Sequence, residues 1–208
     1  MKPEYIVIHT AAYRGSDCDK DRIDGWHRDR GWSGIGYHFV ILNNRHSQKK
    51  DGTIEVGRAE DKQGAHALGI NDRSLGICCV GHGDYEDFTD EQYKSLYMLI
   101  TELARRYDIP VQKVIGHCEL NDLVDQEVID RRYRTKKSCP GSKINMDFIR
   151  RQLTHLSSKE DNEISSRDAI EIKSAIAILH KHRNKYPNAL DELDEFSYHP
   201  EVMEASGS

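Results

Sequence analysis

Three side chains in this sequence have the types that together hold a divalent transition metal: His9, His117 and Cys139. His9 follows the apolar run Tyr5 to Ile8, and His117 closes "VQKVIGH", so each histidine ends a segment that reads as a short buried strand. Cys139 lies in "TKKSCPG", a loop ahead of a segment that reads as a helix. Two neutral imidazoles and a thiolate suit Zn²⁺, and three protein ligands leave a fourth position for water. The spacing is not the local one of a zinc finger. On pattern alone, scattered core histidines and a buried thiol are the commoner explanation.

These residues need a scaffold, and the chain offers one of the α/β class. Asp17 to Arg30 reads as a surface helix ended by Gly31. Residues 36–42, "GYHFVIL", read as a strand, and Asp51-Gly52 opens a hairpin within 49–58. "SLGICCVG", 74–81, is a continuous apolar run expected to be a central strand. Thr89 begins a capping box with Gln92. The helix behind it has an apolar face of Tyr93, Leu96, Leu99, Ile100 and Leu103, and Ile109-Pro110 stops it. Residues 145–156 read as a last helix of the body. The expectation is a central mixed β-sheet flanked by helices over residues 1–156. A polar linker at 157–166 then leads into an acidic, mostly helical extension over 157–208.

Charge and cysteine usage exclude several classes. Residues 1–156 have as many basic as acidic side chains, so no basic excess points to nucleic acid. The extension carries the whole net charge of -5, and is expected to dock on the body, pair with a second copy or bind a protein partner. Five cysteines without a CxxC pair read as separate thiols and not as a disulfide framework. No apolar run approaches the roughly 18 residues of a membrane span. "MKPEYIVIH" runs straight into a strand with no signal-peptide pattern, so synthesis in the cytoplasm is expected.

Eight segments in order, "IVIHTAA", "WHRDRGWSGIGYHFVI", "DGTIEVGR", "GAHALGIN", "SLGICCVG", "FTDEQYKSL", "VIGHCEL" and "KKSCPG", cover residues 4 to about 153. Together they resemble the zinc-dependent N-acetylmuramoyl-L-alanine amidases, the family of phage lysozyme-type amidases and peptidoglycan recognition proteins. The resemblance implies one amidase domain holding one Zn²⁺ on His9, His117 and Cys139, with Tyr37 and Lys137 as catalytic residues. It implies hydrolysis of the amide between N-acetylmuramic acid and L-alanine in bacterial peptidoglycan, by an endolysin of phage or prophage type. Such an enzyme acts on the wall after release or export. A non-catalytic peptidoglycan-binding module and an exported antibacterial effector are the alternatives; non-catalytic relatives typically lose the cysteine. Bound zinc brings the pKa of water toward about 7. Tyr37 and Lys137 suit the oxyanion that forms in such a reaction.

The remaining positions divide between site and scaffold. His66 and Asn71 of "GAHALGIN" match the family's substrate groove, with a structural role equally open. His38 alternates with Tyr37 and is expected on the opposite face as a structural residue. Trp26 and Trp32 are expected to pack the first helix, and Cys78 and Cys79 to be strand thiols. Cys118 is the rival ligand, disfavoured because neighbours on one backbone rarely reach one metal. The interval from His117 to Cys139 is longer than in compact relatives and ends in Arg131, Arg132, Arg134, Lys136 and Lys137, a basic rim or a solvated loop.

Overall fold

Alternation along one central strand sorts the molecule into layers. β1 (Tyr5–Thr10) is buried along its whole length, with Ile6 and Ile8 on one face and Tyr5, Val7 and His9 on the other. The structure, a computed structural model, describes residues 1–163, with side chains through 156. The strand runs through His9 and Thr10 instead of stopping at the histidine, because Ala11 N still donates to Cys79 O across the sheet.

Four more strands complete a mixed sheet: β2 (Phe39–Ile41), β3 (Ile54–Val56), β4 (Ser74–Cys79) and β5 (Val114–Gly116). Their order is β3-β2-β4-β1-β5. β1 lies parallel to β4 and β5, β2 lies parallel to β4, and only the hairpin partner β3 is antiparallel. The α/β expectation holds. Two strands are shorter than expected. β2 begins at Phe39, although His38 N still donates to Gly76 O at 2.9 Å; further back, Gly36 N donates to the His27 ring and not to a strand. Val111–Lys113 forms a 3₁₀ turn before β5.

The first face of the sheet holds the main core. Ile6, Ile8, Phe39, Ile41, Leu75 and Ile77 pack against α2 (Asp90–Tyr107) and the last helix, through Leu96, Ile100, Leu103, Ile149 and Leu153. α2 starts at the expected capping box and ends at Asp108, which adopts a left-handed conformation at φ 56°. α4 (Met146–Glu163) continues past the expected end near 156; "SSKEDNE" contains neither Gly nor Pro to stop it. Met1–Ser157 form one compact unit. Residues 164–208, including the expected helix over 169–179 and the expected partner-binding segment, lie outside the described residues.

The second face is divided. At one end α1 (Lys20–Asp29), N-capped by Asp19, contributes Ile23 to a cluster with Val40, Leu42, Cys78 and Val80. At the other, α3 (Leu120–Asp125) and the following turn bring Leu120, Leu123, Val124 and Ile129 against Tyr5, Val7 and Ile115. The first part of the long interval after His117 is therefore a packed element and not a solvated loop. Between these clusters lies a polar gap containing His9. Among the described residues no helix is long and apolar enough to cross a membrane.

Gln92 ties helix to sheet. Its Nε2 donates to Ile41 O at 3.1 Å and Val80 O at 2.8 Å, and its side chain is buried. Removing it takes the side-chain donor from Val80 O, a loss costing on the order of 1–3 kcal/mol, while Ile41 O keeps the Val80 N–H at 2.8 Å. Gln92 Oε1 also accepts from Thr89 N at 3.2 Å, so Gln92→Ala should lose more stability in chemical denaturation than the roughly 1 kcal/mol of a helix cap alone.

Candidate metal centre and active site

Three different pieces of chain bring the three metal candidates together. His9 points from β1 into the polar gap. His117 is the first residue after β5, at the start of a 3₁₀ turn. That turn is braced by Glu119, which accepts from Gly116 N at 2.7 Å and is held by both guanidinium nitrogens of Arg150 on α4, each at 2.9 Å. Cys139 sits in a loop laid on the loop after β4. Asp84 accepts from Ser138 Oγ at 2.7 Å and Ser142 N at 2.8 Å, while Lys143 N donates to Gly83 O at 2.8 Å. The two backbones touch at Gly83 and Gly141, so a Cβ on Gly83 would fall 1.9 Å from Pro140 O. Cys139 O also accepts from Cys118 N at 2.6 Å.

The ligand atoms of His9, His117 and Cys139 lie within 4.8 Å of one another, and His9 Nδ1 is 3.7 Å from Cys139 Sγ. Zinc bonds of about 2.0–2.3 Å in a tetrahedron set ligand atoms roughly 3.4–3.7 Å apart. The donor types and spacing fit such an ion with one position left open. Cys118 takes part through its backbone and is not in this group.

Burial keeps the group uncharged without a metal. Desolvation holds His9 well below the usual imidazole range, helped by His66, His117 and Lys137. His117 is lowered to about 4 by burial and then by Lys137. The Cys139 thiol is pushed up to about 11 by burial, against a hydrogen bond from Thr10 N–H and the Lys137 charge. Neutral imidazoles are ready donors, whereas the thiol needs a cation to release its proton.

Tyr37 lies beside this group, its ring 5.0 Å from that of His9. Burial holds its hydroxyl well above the ordinary phenol range, and Cys78 is its hydrogen-bond partner. The phenol is thus a proton donor at any working pH. Lys137 is exposed, yet its ammonium is near enough to act on His9, His117 and Cys139. Residues 36–38 also bring in His27, whose ring is 5.4 Å from Tyr37 and 4.6 Å from Trp32. Sequence reasoning did not single out His27 or the Cys78 contact; each depends on a pairing across the fold.

Of the two groove candidates, His66 meets the group directly and Asn71 acts on the loop that carries it. His66 Nδ1 is 3.1 Å from His9 Nε2. Asn71 Oδ1 accepts from His66 N and Ala67 N, both at 2.8 Å, and so shapes the loop. His38 is fully buried, with Nε2 donating to Lys62 O at 3.0 Å and Nδ1 accepting from Gly76 N at 2.9 Å, a structural role; it does not lie opposite Tyr37 as expected, since both rings neighbour His66 and the two residues precede β2, where strand alternation does not apply. Trp26 packs against Tyr13. The five cysteines are free thiols.

Residues 1–142 match the family model described as N-acetylmuramoyl-L-alanine amidase. The endolysin of Enterobacteria phage T3 is 38% identical over 111 residues, which are 50% of this chain and 69% of the relative. Among solved structures, the N-acetylmuramoyl-L-alanine amidase LysC from Clostridium intestinale superposes with a TM-score of 0.59 at 33% identity. That match covers 74% of this chain and 86% of LysC. A Drosophila peptidoglycan recognition protein LB variant in complex with tracheal cytotoxin gives 0.52 at 25% identity, covering 71% and 81% of the two chains.

The buried histidines impose a pH dependence on the metal-free protein. His9, His66 and His117 all titrate lower in the fold than in the unfolded chain. The unfolded chain therefore binds more protons as the pH drops through about 6.5, and stability present above that value is lost toward lower pH. Chelator-treated protein should show a falling denaturation midpoint from pH 7 to pH 5. A flat profile would contradict neutral burial of the three rings.

Proposed function

Because the chain belongs to the N-acetylmuramoyl-L-alanine amidase family, we propose that it hydrolyses the muramoyl–alanine amide of bacterial peptidoglycan with one zinc ion held by His9, His117 and Cys139. We assign it the role of a phage- or prophage-type endolysin. The observation that carries this reading is the meeting of two imidazoles and a thiol within 4.8 Å beside a buried tyrosine. The resemblance to phage endolysins supports the wall-degrading role. A neighbour of the same fold holding tracheal cytotoxin supports the choice of ligand class.

Bound zinc would supply a nucleophile from water near neutral pH and polarise the scissile carbonyl. The chain's own residues handle the remaining charge and protons. Tyr37, kept protonated by burial and with its ring 5.0 Å from that of His9, would donate a hydrogen bond to the oxygen that becomes negative as the carbonyl turns tetrahedral. The Lys137 ammonium balances the same charge from the exposed side. The leaving alanine nitrogen departs with a proton, and Tyr37 and Lys137 are the nearby groups able to give one. Retention of Cys139 with both of these residues favours hydrolysis over a binding-only module.

Incubation with purified peptidoglycan should release free L-alanine amino termini when zinc is bound and not after chelation. Tyr37→Phe and Lys137→Ala should each lower kcat by about 10²–10³-fold, the usual effect of losing one oxyanion partner. Cys139→Ala should lose zinc and activity together. Full activity in that variant would overturn the ligand assignment, and no product from zinc-loaded protein would overturn the enzyme reading.

A further inference from the structure

His9 has two ring nitrogens, and the hydrogen bonds around it decide which of them is bare. His9 Nε2 lies 3.1 Å from His66 Nδ1. On its far side, His66 Nε2 faces the Ser74 carbonyl oxygen at 3.4 Å. A carbonyl can only accept, so the proton of a neutral His66 sits on Nε2 and its Nδ1 offers a lone pair. His9 Nε2 must then donate. That leaves His9 Nδ1 bare on the side of Cys139, 3.7 Å from its sulfur. The opposite tautomers would set a lone pair against Ser74 O and put a proton on the nitrogen that faces His117 and Cys139.

The His66 ring is itself held in place. Asn71 anchors its backbone. The His38 ring meets it edge-on with centroids 5.5 Å apart. It lies over Gly76 of β4, where a Cβ would come within 2.6 Å of the ring. His38 Nδ1 in turn accepts from Gly76 N at 2.9 Å, so the strand, both rings and His9 form one connected stack.

We propose that His66 is a positioning residue for the metal centre: its imidazole Nδ1 accepts from His9 Nε2–H and thereby aims His9 Nδ1 at the ion. This deepens the proposed function and rests on its reading of His9 as a ligand. Partners of this kind on metal-bound histidines are usually carboxylates, backbone carbonyls or waters. An imidazole does the same work without adding negative charge to a set that already contains a thiolate.

The test uses the full chain labelled with ¹⁵N-histidine and freed of metal. A ¹⁵N–¹⁵N coupling across the His9–His66 hydrogen bond is expected, with His9 protonated on Nε2, and this reading needs no substitution. Zinc dissociation constants from chelator competition then compare wild type with three variants. His66→Leu should bind zinc about 10–100-fold more weakly, as for loss of other such partners. His66→Gln, with an amide that can accept from His9 and donate to Ser74, should recover most of the affinity. Gly76→Ala, which pushes the ring off His9, should resemble His66→Leu. Absence of the coupling with His9 protonated on Nδ1 would overturn the proposal. So would unchanged zinc affinity in all variants with a raised KM in His66→Leu, which would return His66 to the substrate groove. A wild-type chain that binds no zinc would remove the ligand reading beneath it, a result the metal-free coupling distinguishes from failure of the hydrogen bond itself.

Discussion

Polar side chains placed against the middle of a sheet have to be given partners, because desolvation without a hydrogen bond is expensive. In this protein that requirement falls on a narrow strip of the sheet's second face, where β1 and β4 run side by side. His9 stands next to Cys78 in register, and Val7 next to Gly76. The apolar clusters stop on either side of this strip. Within it, rings and backbone groups satisfy one another: His9 with His66, His66 with Ser74, His38 with Gly76 and Lys62, and Tyr37 with Cys78. The first face is mostly apolar, with Gln92 as a buried polar side chain that bonds the sheet there.

This division of labour explains the architecture around the site. The α1 side carries Trp26 and the residues 35–38 that deliver Tyr37. The α3 side supports the 64–71 loop from below, through Ala67 and Ile70. Glu119 and Arg150 lock the turn that presents His117, joining the site to α4 across the sheet edge. Each donor thus comes from a different element, with its own backing, and geometry at the centre is shared among them.

Much of this was legible in the chain. Periodicity located α2 and the central strands, and the capping box marked the start of α2 at the right residue. The His/His/Cys set was legible as chemistry, though only the ordered resemblance of eight segments made it more than scattered core residues. What could not be read were relations that depend on approach across the fold. Asn71 is spent on backbone amides of its own loop, and His66 faces the metal group, facts decided by the turn at 64–71 and not by residue type. The segment 120–133 looked like a polar insertion because its apolar residues are spaced among charges; packing against Tyr5, Val7 and Ile115 reveals them as core. The continuation of α4 to Glu163 is not marked by polarity, because polar residues such as Lys and Glu are good helix formers.

His9 and Cys139 face each other across 130 residues of chain. The donor set therefore spans nearly the whole body, from its first strand to the loop before its last helix. A ribosome-bound chain has no complete donor set until Cys139 has left the exit tunnel and its loop has settled onto Gly83. A chain cut short before Cys139 thus lacks one of the three candidate donors.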